Sequence, residues 1–284
     1  MQLVVLGAHG QVGSALAKVA GALGFHVRAL GHDECDINDE ESLRRAFENL
    51  APGDAVVNAA AKLGTGEAQN NPLEQFQTNV RGAMLVALHA LRRSAAVVHF
   101  STDYVFDGTK DSPYLESDVP NPVNMYGGLK FASEILVREA NPSHYVVRIS
   151  SVFGKARSTS KGPNFVDRML QAAGRPQEVA VDNSIVMSPT YAHDAAQLTL
   201  ELLRIRAPAG IYHAANTGAC TWLEFTNAIF ELSGINRRAV ARDTAADPIL
   251  RPAYSALASE RLARLGLSQR NWRDGLAAYL AEKS

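Results

Sequence analysis

The chain has 284 residues, 46% hydrophobic and 20% charged, with 28 Lys and Arg against 29 Asp and Glu for a formal net charge of -1. That is folded, globular composition with no basic face for nucleic acid and no acidic tail, and the length fits roughly two domains at about 150 residues each. No apolar run approaches about 20 residues, no signal peptide precedes the short apolar start, and Cys35 and Cys220 have neither disulfide nor metal spacing, so the expectation is a cytoplasmic protein with free thiols, no membrane span and no metal.

In chain order, residues 2–6 are an apolar run suited to a buried strand. Residues 11–23 follow at helical spacing and 26–30 read as a second strand. Asn38, with Glu41 three residues on, is a capping signal for a helix over 39–50. Residues 54–58 form a strand, 72–93 a long helix with Pro72 in its first turn, 96–100 a strand, 126–140 a helix and 145–148 a strand. Continuous apolar strands alternating with helices predict an α/β fold, a Rossmann-type doubly wound parallel sheet covered on both faces. The second half is less regular. Helices are expected over 164–173, 192–203, 222 to about 233 (opened by the Thr221/Glu224 capping box) and 273–282, with short strands at 178–181 and 210–214. The domains expected are a dinucleotide-binding domain over 1–150 and, over 151–284, mainly a smaller substrate-binding lobe, part of which returns to the sheet. The loops 102–124 and 154–163 are long enough to cover a site.

Gly7, Gly10 and Gly13 sit directly after the first strand and run into a helix. Gly7 allows the turn, Gly10 lets backbone approach a pyrophosphate, and Gly13 lets helix pack close on sheet, while the helix N-terminus faces the anion. His9, Gln11 and Val12 belong to the same loop. No Lys-Ser or Lys-Thr follows, which excludes a P-loop. After the second strand stand Gly31 and His32 where a carboxylate would bind a ribose 2′-hydroxyl, with Arg28 nearby. This favours NADP(H), with NAD(H) as the alternative, although Arg28 also fits a strand residue facing solvent. Asp36 and Ile37 fit positions bracketing the adenine; Asp36 equally fits a helix-entry carboxylate.

Tyr126 and Lys130 are four apart on one helical face. A phenol titrates near ~10, and a neighbouring ammonium would bring it toward neutrality, where proton transfer is efficient. Ser101-Thr102-Asp103 ends the fourth strand at the carboxyl edge, where open α/β sheets bind ligands. Thr102 is placed to donate to a substrate carbonyl beside Tyr126. The plainer alternative is that Thr102 caps a turn and Tyr126 is a core aromatic. Arg251, beside Pro252, is a candidate for a bidentate diphosphate or sugar contact, or for a salt bridge between lobes. Asn164 is a further candidate lining residue and Tyr104 a candidate apolar wall, whereas His26, His99 and His144 read as packing residues in or beside strands.

These motifs together resemble the extended branch of the short-chain dehydrogenase/reductase superfamily over nearly the whole chain. Carrying the likeness are the three glycines, Asn58-Ala-Ala-Ala61, Asn79, Ser101-Thr-Asp-Tyr-Val-Phe-Asp-Gly108 and Tyr126/Lys130. Within that branch the chain is similar to the dTDP-4-dehydrorhamnose reductases and related nucleotide-sugar 4-keto reductases. The octapeptide 101–108, Tyr212-His-Ala-Ala-Asn216 followed by Trp222, and Arg251-Pro252-x-x-Ser255 support this.

The resemblance implies NAD(P)H-dependent reduction of the 4-keto group of a nucleotide-activated deoxysugar, with Thr102, Tyr126 and Lys130 as the catalytic triad. It also implies that Asn79 kinks its helix and holds a water near the lysine, and that Ala59, Ala60 and Ala61 line the cofactor. Asp103, Tyr104, Ser151, Asn164 and Arg251 are expected on the substrate side. Dehydratase relatives carry Thr-Asp-Glu, where this chain has Thr102-Asp103-Tyr104 and lacks the general base for elimination. Ser151 where relatives carry Trp, Lys62 where a His is expected, and a longer 182–190 segment lacking the usual Gly all touch the sugar side. Two alternatives stay open: a reductase of a different nucleotide sugar, and a non-catalytic NADP-binding regulatory subunit. A homodimer is the expected assembly.

Overall fold

The structure, a computed structural model, describes residues 1–156, 162–242 and 249–283. The first half runs β1 (Gln2–Leu6), α1 (Gln11–Ala22), β2 (His26–Leu30), α2 (Glu40–Ala46), β3 (Ala55–Asn58), α3 (Thr65–Asn70) and α4 (Pro72–Phe76). A π-helical turn (Gln77–Gly82) leads into α5 (Ala83–Leu91), β4 (Ala96–Thr102), a 3-10 turn (Asp103–Val105), α6 (Met125–Ala140) and β5 (His144–Ile149). The remainder is β6 (Val152–Phe153), α7 (Phe165–Ala173), β7 (Ala180–Asp182), β8 (Val186–Met187), β9 (Thr190–Tyr191), α8 (Ala192–Arg204), β10 (Gly210–His213), β11 (Cys220–Thr221), α9 (Trp222–Leu232), β12 (Val240–Arg242), α10 (Glu260–Arg264) and α11 (Trp272–Ala281).

Six strands form the central sheet in the order β10-β5-β4-β3-β1-β2, every neighbouring pair parallel. Strand period two explains the layers. Leu3 and Val5 of β1 pack with Leu16 and Val19 of α1 and Leu198 and Leu202 of α8. Val4 and Leu6 face the other way, onto Leu43 of α2, Val86 of α5 and Val137 of α6. Both faces are therefore covered, as the doubly wound expectation requires. A separate cluster around Phe153, Val166, Phe225, Ile229, Leu276 and Tyr279 forms the core of the second half. Strand order reverses between β1 and β3, which puts the ligand crevice of such a sheet at the carboxyl ends of these two strands.

Several local expectations are corrected. Asp39, not Asn38, caps α2 through a hydrogen bond from Glu41 N to its carboxylate, and the helix ends at Ala46 with Phe47 as its C-cap instead of reaching residue 50. The single helix expected over 72–93 is interrupted by the π turn, where the Asn79 side chain is tied to the Lys62 backbone. β4 continues through Thr102, because the Ser101 and Thr102 backbones still pair with Arg148 and Ile149. His26 is exposed rather than packed. Of the expected loop 154–163, residues 157–161 lie outside the described residues. Among the described residues no helix is long and apolar enough to cross a membrane.

Candidate active site

The glycine turn is shaped by backbone contact. Gly7 has φ +70°, and a Cβ there would lie 2.6–2.7 Å from Ala59 and Ala60 backbone. The turn thus abuts the loop after β3 that carries Ala59, Ala60 and Ala61. A Cβ on Gly13 would lie 2.3 Å from the Gly7 carbonyl oxygen. One on Gly10 would meet only that oxygen, at 3.5 Å, so the Gly10 side of the turn is open. Gly10 also caps α1 without any side-chain hydrogen bond, which leaves the helix N-terminus facing that opening. Gln11 Oε1 is buried without a partner among the described residues. An open cradle, a free helix N-terminus and an orphaned acceptor are what a dinucleotide diphosphate and its ribose would fill. Val12 is packed against the core below.

At the end of β2 the His9 ring lies over Gly31, where a Cβ would come within 2.4 Å of it. Gly31 N donates to Glu34 Oε2 at 2.6 Å, and Glu34 is 3.9 Å from His9 Nε2. A carboxylate therefore does stand at this strand end, three residues later than the expected position, while His32 is exposed. Arg28 is not the contact expected for a 2′-phosphate, because its Nη1 donates to the Ala46 carbonyl at 2.9 Å. Ile37, expected beside the adenine, is 3% exposed and packs on Gly82. Asp36 accepts from Asn38 N at 2.9 Å, so the helix-entry alternative describes it.

At the end of β4 and the start of α6, Thr102 and Tyr126 stand side by side, and Lys130 follows one turn along α6. Asn124 caps α6 by accepting from Gly127 N at 2.9 Å, and Gly127 rides against the 3-10 turn, where a Cβ would stand 2.0 Å from the Tyr104 carbonyl oxygen. This contact brings Tyr126 beside Thr102 and sets its ring edge-on to Tyr104, with centroids 6.1 Å apart. Thr102 caps the turn as well, accepting from Tyr104 N at 3.2 Å.

Lys130 is 3% exposed and its Nζ lies 3.2 Å from His99 Nε2. Burial lowers its ammonium from 10.5 to about 8. The Tyr126 phenol is not brought toward neutrality, as its spacing from Lys130 suggested. Burial, then the Asp103 carboxylate and Tyr104, hold it well above 10, while the ammonium is turned to His99. Tyr126 is accordingly protonated in this state.

The residues expected on the substrate side divide. Arg251 is a neighbour of Tyr104, its charge lowering the phenol against the larger effect of burial, and it also reaches Thr65 Oγ1 at 3.4 Å. Asp103 is 2% exposed and its carboxylate is turned inward, onto Thr102, Ser150 and Ser255. Ser151 adopts φ 44° and its carbonyl accepts from Thr190 N, whereas its neighbour Ser150 makes the contact to Asp103. Asn164 is taken up as the cap of α7, with its amide donating to Gly154 O and Tyr279 Oη. Asn79 does not touch Lys130: its amide accepts from Lys62 N at 2.9 Å and donates to Lys62 O at 2.8 Å and Gln75 Oε1 at 2.7 Å. It positions the strand-three loop against the π turn.

His99, Ser133, Ser150 and Glu34 are neighbours of the site that no motif flags, and Ser255, part of the Arg251-Pro252-x-x-Ser255 motif, turns out to bind Asp103. His99 meets Asn58 Nδ2 with its Nδ1 at 3.4 Å, and its Nε2 meets both Ser133 Oγ at 2.9 Å and Lys130 Nζ at 3.2 Å. Burial and the ammonium keep it neutral. Behind this, the buried Arg148–Glu134 pair, at 2.7 Å and 2.9 Å, fixes α6 on β5, with Arg148 Nη1 also 3.3 Å from His213.

A family model described as the RmlD substrate binding domain matches residues 1–284. The chain is 36% identical to the spore coat polysaccharide biosynthesis protein SpsK of Bacillus subtilis (strain 168), across 100% of this chain and 98% of that protein. It is also 36% identical to a dTDP-4-dehydrorhamnose reductase of Mycolicibacterium smegmatis, across 99% of this chain and 85% of that protein. Among solved structures, a dTDP-4-dehydrorhamnose reductase of Bacillus anthracis in complex with NADP superposes with a TM-score of 0.92 at 28% identity, covering 99% of each chain.

Proposed function

The chain belongs to the RmlD substrate binding domain family, and on that premise we propose how it works: as an NAD(P)H-dependent oxidoreductase of the dTDP-4-dehydrorhamnose reductase kind, it reduces the 4-keto group of a nucleotide-activated deoxysugar. What supports the reading is Tyr126 set beside Thr102 at the carboxyl end of β4, with Lys130 one turn further along α6, together with an open glycine cradle. Bound NAD(P)H supplies the two-electron reductant for the keto carbon. Tyr126, protonated at neutral pH, gives its phenolic proton to the developing alkoxide. Lys130, beside His99, supplies positive charge at the nicotinamide end. Gly10 and the α1 N-terminus take the diphosphate, and Gln11 offers an acceptor to a cofactor hydroxyl. Tyr104 and Arg251 face the sugar nucleotide, Arg251 as the phosphate contact.

NADP(H) is the cofactor proposed, on the strength of the NADP-bound relative. Glu34 at the end of β2 extends the proposal to NAD(H), because a carboxylate there suits a free 2′-hydroxyl. A homodimer completes it, and sedimentation at micromolar concentration is the check. The test of the reaction is Tyr126→Phe assayed on nucleotide-linked 4-keto sugars. Turnover should fall by about 10²- to 10⁴-fold, as loss of a general acid does, with NADPH affinity within about twofold of the parent. Full turnover in the variant would remove Tyr126 from the reaction.

A further inference from the structure

The proton on the His99 ring is placed by its neighbours. Asn58 Oδ1 accepts from Ala60 N at 3.2 Å, so the amide turns its Nδ2 to His99 Nδ1, 3.4 Å away. An amide nitrogen only donates, and Nδ1 is therefore the acceptor of the ring. Burial and the Lys130 ammonium keep the ring neutral, with a single N–H, so that proton sits on Nε2. Its acceptor is Ser133 Oγ at 2.9 Å, whose own proton goes to the Lys130 carbonyl at 2.6 Å. Lys130 Nζ stands 3.2 Å from the same Nε2 and meets an N–H there, not a lone pair. An ammonium has three protons to give and accepts nothing, whereas the free amine can take the ring N–H. Among the described residues Nζ has no other hydrogen-bonding contact, and Lys130 is 3% exposed.

We propose that His99 is a positioning residue for Lys130: fixed as the Nε2–H tautomer by Asn58, it presents the ammonium with an N–H instead of a lone pair, so the ammonium finds its acceptors on hydroxyl groups of bound NAD(P)H, and cofactor binding is coupled to protonation of Lys130. The proposal rests on the reading of the glycine cradle and Lys130 as the cofactor site. In the free protein the ring N–H pulls the balance toward the amine. On binding, the amine takes one proton from solvent and becomes the ammonium, with no other bond made or broken. The positive charge is thus set in place together with the ligand it serves.

Burial lowers Lys130 to about 8, so the amine is present in mildly alkaline solution. Glu134, four residues on, raises it against burial, but that carboxylate is already shared between two nitrogens of Arg148 on β5. Charged groups on the other elements packed on α6 are engaged elsewhere. Glu67 of α3 accepts from Asn71, Glu74 of α4 pairs with Lys62, and Arg81 of the π turn donates to Asn38 O. His89 of α5 faces Glu40 and Arg92, and Asp103 of the 3-10 turn holds the hydroxyls of Thr102, Ser150 and Ser255. The Tyr104 and Tyr126 phenols are held above their usual range by burial. Acceptors on the ligand raise the bound ammonium, so uptake of a proton is largest between the free and bound values and vanishes well below 8, where both forms are already charged.

The experiment is titration calorimetry of NADPH binding at a pH of about 8.5, where its phosphates are fully ionised, in two buffers of different ionisation enthalpy, which counts the protons taken up. It is run on the parent, Lys130→Met, His99→Gln and Ser133→Ala, with circular dichroism for each. With the free amine titrating at about 8, the parent should take up roughly 0.7 proton per NADPH bound. Lys130→Met should take up none. His99→Gln offers Nζ a carbonyl oxygen while its amide nitrogen serves Ser133, so uptake should fall to about 0.4 or less. Ser133→Ala removes the acceptor that shares the ring proton, turns that proton onto Nζ, and should raise uptake to roughly 0.9. A residue that only supported the fold would not move the proton count in opposite directions in two variants. Undiminished uptake in Lys130→Met would overturn the proposal, as would parental uptake in a folded His99→Gln. If His99→Gln does not fold, the rise or its absence in Ser133→Ala decides. A parent that binds neither NADPH nor NADH refutes the reading of the cofactor site; NADPH binding without proton uptake refutes only the coupling through His99.

Discussion

Gly10 and Gly13, three residues apart in one turn, should respond oppositely to the same added methyl group. A Cβ on Gly13 would lie 2.3 Å from the Gly7 oxygen, 2.8 Å from Ala8 Cα and 2.9 Å from the Gly7 carbonyl carbon. All three are backbone atoms, so α1 must shift from the turn. Overpacking against backbone takes the upper half of a range of about 1–3 kcal/mol, and subtracting the roughly 1 kcal/mol by which Ala exceeds Gly in helix propensity leaves a net loss of about 1–2 kcal/mol. At about 2–4 °C per kcal/mol for a chain of this size, Gly13→Ala should melt roughly 2–8 °C below the parent.

Gly10 differs on both counts. Its φ of -76° suits any residue, and its added Cβ would sit at an ordinary 3.5 Å. A more restricted unfolded chain gains about 0.4–1 kcal/mol, and Ala as an N-cap loses a similar amount. The net change in melting should be small, yet the methyl group stands where the diphosphate must approach. NADPH binding should weaken at least tenfold, about 1.4 kcal/mol. Calorimetry of the cofactor-free protein and NADPH fluorescence titration separate the two effects. A stable Gly10→Ala that binds NADPH like the parent would place the diphosphate elsewhere, and a Gly13→Ala of parental stability would contradict the close packing.

The buried Arg148–Glu134 pair is 1% exposed on either side, so Glu134→Ala strands a guanidinium and should cost about 3–5 kcal/mol, read as a lower urea midpoint at constant slope. His213 is held at about 3 by burial and by Arg148, well below its usual 6.5. The unfolded chain then takes up a proton that the fold refuses, so stability is intact above pH 6.5 and falls on the way from 6.5 toward 3. The loss is about 1.4 kcal/mol at pH 5.5 from this residue, with His99 adding in the same direction. A urea midpoint equal at pH 7.5 and 5.5 would contradict it. Glu34→Gln should shift relative affinity toward NADPH over NADH, measured by direct titration; an unchanged ratio would show that Glu34 does not read the ribose.

The central sheet was legible because strands buried on both faces read as unbroken apolar runs: Leu3 to Leu6 and Ala55 to Val57 are fully buried. The glycine turn was legible for the same local reason, since turn, strand end and helix start are contiguous. What escaped depends on distance along the chain. Ser150 and Ser255 lie 47 and 152 residues from the Asp103 they bind, and His99 lies 31 from Lys130. Nothing in a strand pattern distinguishes a histidine that packs from one that also meets a lysine nitrogen. The residue pattern of 72–93 did not show the π turn, although the resemblance marked Asn79 as a kink, because the tie from Asn79 to Lys62 spans 17 residues. Strands of two residues, such as β6, β8, β9 and β11, are too short to carry a period at all.

The absence of a side chain at position 127 has a wider bearing. With the Tyr104 carbonyl 2.0 Å from where a methyl would be, the start of α6 is pinned on the 3-10 turn and cannot pivot to suit a larger or differently shaped sugar. Divergence toward other hexoses is then expected away from this helix, at positions such as Lys62, Ser151 and the segment from 182 to 190, which the sequence pattern marks as unusual for the sugar side. An engineer seeking a new sugar should begin there and leave the helix alone.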